Sequence, residues 1–249
     1  MKTKFLIIAS GWNCQEFVFD CINSVKEQQY SGEVTAVFIS DGSSDNTAKK
    51  IQLAISGINN FHAMIADKNC GAACRRHKAI EQFKPDGETV VMFLGLDDRL
   101  LPNALNRIDA EYARGKWMTY GNWKDQHGEG LPKDFKLTFP AQVHKERSYR
   151  NVLYRSTAPN TFKAKLYYKI PIKDLMINGK WIETCTEGEV MFSCLEMCGK
   201  DRIGIIKDEI YLYNRMRASG SQKRFGKIKQ DVLKIITSRP KKALFEDMP

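Results

Sequence analysis

With 249 residues, 43% of them hydrophobic and 27% charged, the chain has the composition of a soluble globular protein, which excludes a disordered or fibrous one. Its longest apolar runs, Phe5 to Ala9 and Val90 to Leu96, fall far short of the ~18 consecutive apolar residues of a membrane-spanning helix. Seven cysteines without a C-x-x-C pair fit a reducing compartment, the cytoplasm, better than a stapled secreted domain.

In chain order, Lys4 to Ser10 is an Ile- and Leu-rich run closed by Gly11, too short for a signal peptide and read as a buried strand. Asn13, with Glu16 three residues on, predicts a helix start, and Phe17, Cys21, Ser24 and Val25 continue it to about Gln28. Glu33 to Ser40 is a second strand. It stops at Asp41-Gly42-Ser43-Ser44-Asp45, where Ser44 or Asp45 caps a helix running to about Ile55. Phe61 to Ala66 and Gly71 to Phe83 follow as the third strand and helix. On that helix Cys70, Cys74 and His77 would share one face, the spacing of small buried side chains rather than of a metal site. Thr89 to Leu94 is a fourth strand ending at Gly95-Leu96-Asp97-Asp98, and Pro102 opens another helix.

After residue 114 the alternation degrades until the helix-like stretch Glu187 to Cys198, which sets a subdomain boundary near residue 115. Charge changes there too. Residues 1–113 carry 12 Lys+Arg against 14 Asp+Glu, residues 114–180 carry 14 against 5, and the whole chain is +10. A basic second half is expected to meet something anionic: nucleic acid, an acidic glycan or a phospholipid surface.

Alternating strands and helices predict an α/β fold, a parallel sheet covered by helices on both faces, with ligands beyond the carboxyl ends of the strands. That rule selects Ser10, Asn13, Asp41, Ser43, Asp97 and Asp98. The adjacent carboxylates of Asp97 and Asp98 repel unless a cation offsets them, and Mg²⁺ or Mn²⁺ shared with phosphate oxygens is the usual solution.

The ordered set Ser40-Asp41-Gly42-Ser43-Ser44-Asp45, then Asn69-Cys70-Gly71 with Arg76, then Phe93-Leu94-Gly95-Leu96-Asp97-Asp98 with Leu101-Pro102, resembles glycosyltransferase family 2. Cys21-Ile22-Asn23-Ser24-Val25 with Gln28 is similar to that family's early helix. The resemblance implies a GT-A, Rossmann-like fold, with residues 1–114 binding a nucleotide-sugar donor, a UDP-sugar, and a basic 115–249 subdomain with C-terminal helices binding the acceptor. It implies donor contacts at Ser10, Asn13, Asp41, Arg76, Gly95, Leu96 and Asp97, and Mn²⁺ or Mg²⁺ at Asp97 and Asp98. Two departures stand out: Gly95 occupies the first Asp of the family's D-x-D, and Ser40 the first Asp of its VDDGS.

For the acceptor half, Thr186-Glu187-Gly188-Glu189-Val190 resembles the family's E-D segment, which supplies the general base. Alignment on the following apolar residues favours Glu189 as that base, and alignment on the first glutamate favours Glu187. Ala158-Pro159-Asn160-Thr161-Phe162 resembles the segment between the subdomains, and Tyr211 to Arg215 with Ser219 resembles the closing Y-x-Y-R region. The implied activity is an inverting, metal-dependent transfer to an anionic acceptor: a glycan, a lipid-linked glycan at a membrane surface, or a hydroxymethylated DNA base. The competing reading, motivated by Gly95 and Gly188, is a non-catalytic nucleic-acid or glycan-binding module on a decayed transferase fold.

Overall fold

The computed structural model describes residues 1–215 and 226–246; Ser219, singled out above, lies outside them. The predicted strands become β1 (Phe5–Gly11), β2 (Val34–Asp41), β3 (Phe61–Ala66) and β4 (Val90–Gly95), all parallel. Their residues divide by parity between two cores. Leu6, Ile8, Val37, Ile39, Val91 and Phe93 pack into one, and Phe5, Ile7, Ala36, Phe38, Val90 and Met92 into the other. Side chains alternate across a strand, so near-continuous apolar runs are what a sheet covered on both faces requires.

The helices supply the cover. α1 (Val18–Lys26), α2 (Thr47–Ala54) and α4 (Ala104–Ala113) close one face; α3 (Gly71–Phe83) and α7 (Thr186–Cys198) close the other. Two helix starts differ from expectation. Asn13 does not open α1: it takes φ 52° and binds the next loop, its N–H donating to Ser43 Oγ at 3.0 Å and its Oδ1 accepting the Ser44 N–H at 2.8 Å. α4 likewise begins at Ala104, after Asn103 in the left-handed region, rather than at Pro102.

Residue 115 lies just before β6 (Met118–Asp125), and the sheet continues across it. The order is β3-β2-β1-β4-β7-β6-β10-β5, where β5 is Arg99–Leu100, β7 Asn160–Lys163 and β10 Ile203–Tyr213. β7 runs antiparallel between β4 and β6. Its buried Thr161 bonds Thr119 Oγ1 at 2.7 Å and Tyr112 OH at 2.8 Å, so these strands carry polar residues inward without leaving them unsatisfied. The remaining helices are α5 (Ala141–Glu146), the short α6 (Ala164–Tyr167) and α8 (Gly226–Ser238), and β8 (Met176–Ile177) and β9 (Lys180–Trp181) form a separate hairpin.

Part of the basic excess is internal. Arg150 is buried between Glu189 and Glu196 of α7, while Lys165 and Arg202 lie over the Trp117 ring at 3.9 and 3.7 Å. Among the described residues no helix is long and apolar enough to cross a membrane.

Candidate active site

The carboxyl ends of β1, β2 and β4 and the start of α3 open into a cavity of about 1070 Å³, whose remaining wall comes from the second half of the chain. Of the residues selected from sequence, Ser10, Asp41, Arg76, Gly95, Asp97, Asp98 and Glu187 line it. Four do not. Asn13 and Ser43 brace the loops beside the cavity, the Ser43 hydroxyl accepting the Asn13 N–H, Leu96 is wholly buried in the apolar core, and Glu189 lies inside the protein. As placed, Asn13, Leu96 and Glu189 stand off the cavity, and of the two candidate glutamates Glu187 reaches it.

Asp41 ends β2 and meets the start of α3. Its carboxylate accepts N–H bonds from Cys70 at 3.0 Å and Gly71 at 2.8 Å, and pairs with Arg75 Nε at 2.6 Å. A carboxylate suits this place because the first amides of a helix have no internal partners and the helix dipole favours negative charge there. Cys70 precedes the helix and is joined to Cys74 by a disulfide, so these two are neither free core thiols nor metal ligands. Ser10 Oγ and Arg76 Nε are buried without a hydrogen-bond partner. Buried polar atoms are rarely left so, and on a cavity wall they mark where a polar ligand fits.

After β4 the chain folds Asp97 and Asp98 back over Gly95. A Cβ on Gly95 would lie 2.4 Å from Asp98 Oδ2 and 2.8 Å from Asp97 Oδ1, so glycine is what lets both carboxylates converge. Asp98 accepts the Tyr211 hydroxyl at 2.6 Å and the Asn214 N–H at 2.8 Å. Burial, and next the Asp97 charge, push its carboxyl up to about 8. Among the described residues no three acidic, His or Cys side chains group to hold a metal ion. A pair of carboxylates still fits Mg²⁺ or Mn²⁺, which typically use one or two carboxylates and take other ligands from phosphates and water.

Glu187 opens α7 and enters the cavity from the far half of the chain. Its Oε1 pairs with Arg76 Nη1 at 3.0 Å and its Oε2 accepts Asn160 Nδ2 at 2.5 Å. Glu189, two residues on, is fully buried and ion-paired to Arg150 at 3.0 Å and Arg239 at 3.1 Å. A carboxylate so enclosed has no access to an acceptor hydroxyl.

Several lining residues were not anticipated: Trp12, Asn160, Lys180, Trp181, Arg215 and Lys229. Trp12 sits between the selected Ser10 and Asn13, and Asn160 and Arg215 lie in segments noted only for their resemblance. Lys180, Trp181 and Lys229 come from the β8–β9 hairpin and α8, which carry no motif.

The Glycosyl transferase family 2 model matches residues 7–176, more than half of the chain and all four parallel strands. The chain belongs to this family. It is 30% identical over 103 residues to the teichoic acid poly(glycerol phosphate) polymerase of Staphylococcus epidermidis, a match covering 41% of this chain and 14% of that protein. It superposes on S. aureus TarS 1-349 in complex with UDP-GlcNAc with a TM-score of 0.70 at 17% identity, covering 94% of this chain and 65% of that one. Glucosyl-3-phosphoglycerate synthase from Mycobacterium tuberculosis, solved with Mn²⁺, UDP and glucosyl-3-phosphoglycerate, superposes with a TM-score of 0.63 at 11% identity, over 96% of this chain and 81% of that one. The fold is thus the GT-A type, and the chain spans less than two thirds of the polymerase and of TarS.

Proposed function

We propose that this chain transfers a glycosyl unit from a nucleotide sugar, a UDP-sugar, to an acceptor hydroxyl with inversion, and that Glu187 is the general base. The observation that carries the reading is that one cavity holds Asp41, the Asp97-Asp98 pair and, from the other half of the chain, a glutamate whose two oxygens are both held by donors. Glu187 accepts the hydroxyl proton as the acceptor oxygen bonds to C1. The bond from C1 to the diphosphate oxygen breaks, and the nucleoside diphosphate departs with the electron pair. A divalent ion held by Asp97 and Asp98 would neutralise charge that develops on the diphosphate. Asp41 and Ser10 would receive the nucleoside, and the free Nε of Arg76 gives a buried donor toward the donor sugar or diphosphate. The UDP-GlcNAc complex of TarS and the Mn²⁺ and UDP complex of the mycobacterial synthase support this choice of donor and metal.

For the acceptor we favour an anionic, phosphate-linked chain. Lys180 and Lys229 line the cavity from two different elements, with no carboxylate at ion-pair distance among the described residues. Trp181 lies beside them, and its ring is braced by His77 at 5.2 Å between centroids. Two ammonium groups and an aromatic face suit a polyol or sugar joined by phosphodiesters. The name of the staphylococcal polymerase points the same way.

Calorimetric titration of UDP tests the donor half. With Mn²⁺ present binding is expected in the micromolar range, and with EDTA, or in Asp97→Asn with Mn²⁺, affinity is expected to fall at least tenfold. Equal affinity in all three conditions would remove the metal and Asp97 from the donor site.

A further inference from the structure

We infer that Asn160 is a positioning residue of the reaction: it holds the Glu187 carboxylate turned so that it can accept a proton. The inference rests on the assignment of Glu187 as base and gives a role to a residue noted above only for its place in a segment.

Asn160 is 3% exposed, and its amide orientation follows from its neighbours. Ser156 Oγ, itself buried, donates to Asn160 Oδ1 at 3.0 Å, which leaves Nδ2 to face Glu187 Oε2. A flipped amide would set oxygen against carboxylate and leave the Ser156 hydroxyl without its acceptor, a cost of order 1–3 kcal/mol for each unsatisfied buried group. The site therefore presents a neutral donor in a fixed direction.

The anchoring is equally specific. Asn160 pairs with Phe93 in the β4–β7 ladder, and Phe93 lies two residues before Gly95. The Arg76 guanidinium stands 4.6 Å from the centroid of the same Phe93 ring. The two groups that hold the two oxygens of Glu187 are thus both fixed against one residue of the strand that delivers Asp97 and Asp98. The spacing between the proton-accepting carboxylate and the acidic loop is set by the sheet rather than by the loops.

The groups that act electrostatically on or beside Glu187 are Arg76 from α3, Asp98 from the turn after β4, Tyr211 and Tyr213 from β10, and Tyr154 from the segment before β7. None changes when Asn160 is replaced, so a change in turnover reads the loss of the amide. The test is a kinetic split on the whole chain. In Asn160→Leu, which keeps the branched outline without the amide, turnover of UDP-GlcNAc with polyol phosphate oligomers is expected to fall about tenfold, while UDP affinity with Mn²⁺ stays within about threefold of the unchanged protein. In Ser156→Ala, which frees the amide to rotate, a smaller fall in turnover is expected. Asn160→Ala serves if the leucine variant does not fold. Unchanged turnover in a folded Asn160 variant would overturn the inference while leaving Glu187 as base. Failure of the base assignment shows separately, as full turnover in E187Q.

Discussion

Glu187→Gln is expected to lower turnover of a UDP-sugar by about 10²- to 10⁴-fold, the range lost when a positioned general base is removed. The variant keeps the volume of the side chain but not its ability to take a proton from the attacking hydroxyl. Donor binding should survive, because Asp41, Ser10 and Asp97 belong to strand ends that Glu187 does not hold. UDP affinity with Mn²⁺ is therefore expected to stay within about threefold of the unchanged protein. Some stability should be lost, since a glutamine cannot offer acceptors to both Arg76 and Asn160, and one contact becomes donor against donor. Release of UDP from UDP-GlcNAc, alone and with polyol phosphate oligomers, gives the rate; calorimetry gives the affinity. If E187Q turns over at more than about a tenth of the normal rate, the proton goes elsewhere and the cavity must be read without it.

The first half of the chain was largely legible because its physics is local. Four apolar runs spaced by helix signals can form little but a covered parallel sheet, and the rule that ligands meet the carboxyl ends of strands then points to Ser10, Asp41, Asp97 and Asp98 with no knowledge of contacts. Three other features were not, each for its own reason. In β6 and β7 buried threonines satisfy one another, so polar residues occur where an apolar alternation would announce a strand. Cys70 and Cys74 have the spacing of two small core residues on one helix face, but Cys70 precedes the helix, which starts at Gly71, and its sulfur bonds that of Cys74. The choice between Glu187 and Glu189 turns on which side of α7 faces the cavity. Two residues on a helix are about 200° apart, so only one of the pair can do so. An amphipathic helix would reveal the phase, but every residue of α7 from Gly188 to Cys198 is buried, and its polar stripe, Glu189, Ser193 and Glu196, faces the buried Arg150 rather than the cavity.

The same helix carries the second large effect, and it separates structural from chemical carboxylates. Arg150→Met is expected to cost about 3–5 kcal/mol, the range for removing one partner of a buried ion cluster. Arg150 holds Glu196 at 2.8 Å, Glu189 at 3.0 Å and the Ile236 carbonyl of α8 at 2.7 Å, with 4% of its side chain exposed. Its loss leaves Glu189 to Arg239 and the Ser193 hydroxyl, and Glu196 to the Lys242 N–H, while α8 loses a tie to α7. For a chain of this length 1 kcal/mol corresponds to roughly 2–4 °C, so the thermal midpoint should fall by about 10 °C, measurable by circular dichroism. Replacing Arg150, Glu189 and Glu196 together by apolar residues of similar volume should recover part of that loss, because the one cation of the cluster that stays, Arg239, keeps the Asp174 and Met176 carbonyls as acceptors. Glu189→Gln alone is the decisive comparison with Glu187→Gln. It should lower the midpoint yet leave turnover per folded molecule within about threefold, since Glu189 touches no part of the cavity. A stable Glu189→Gln protein with turnover reduced a hundredfold would return the base to Glu189 and require α7 to rotate before it reacts.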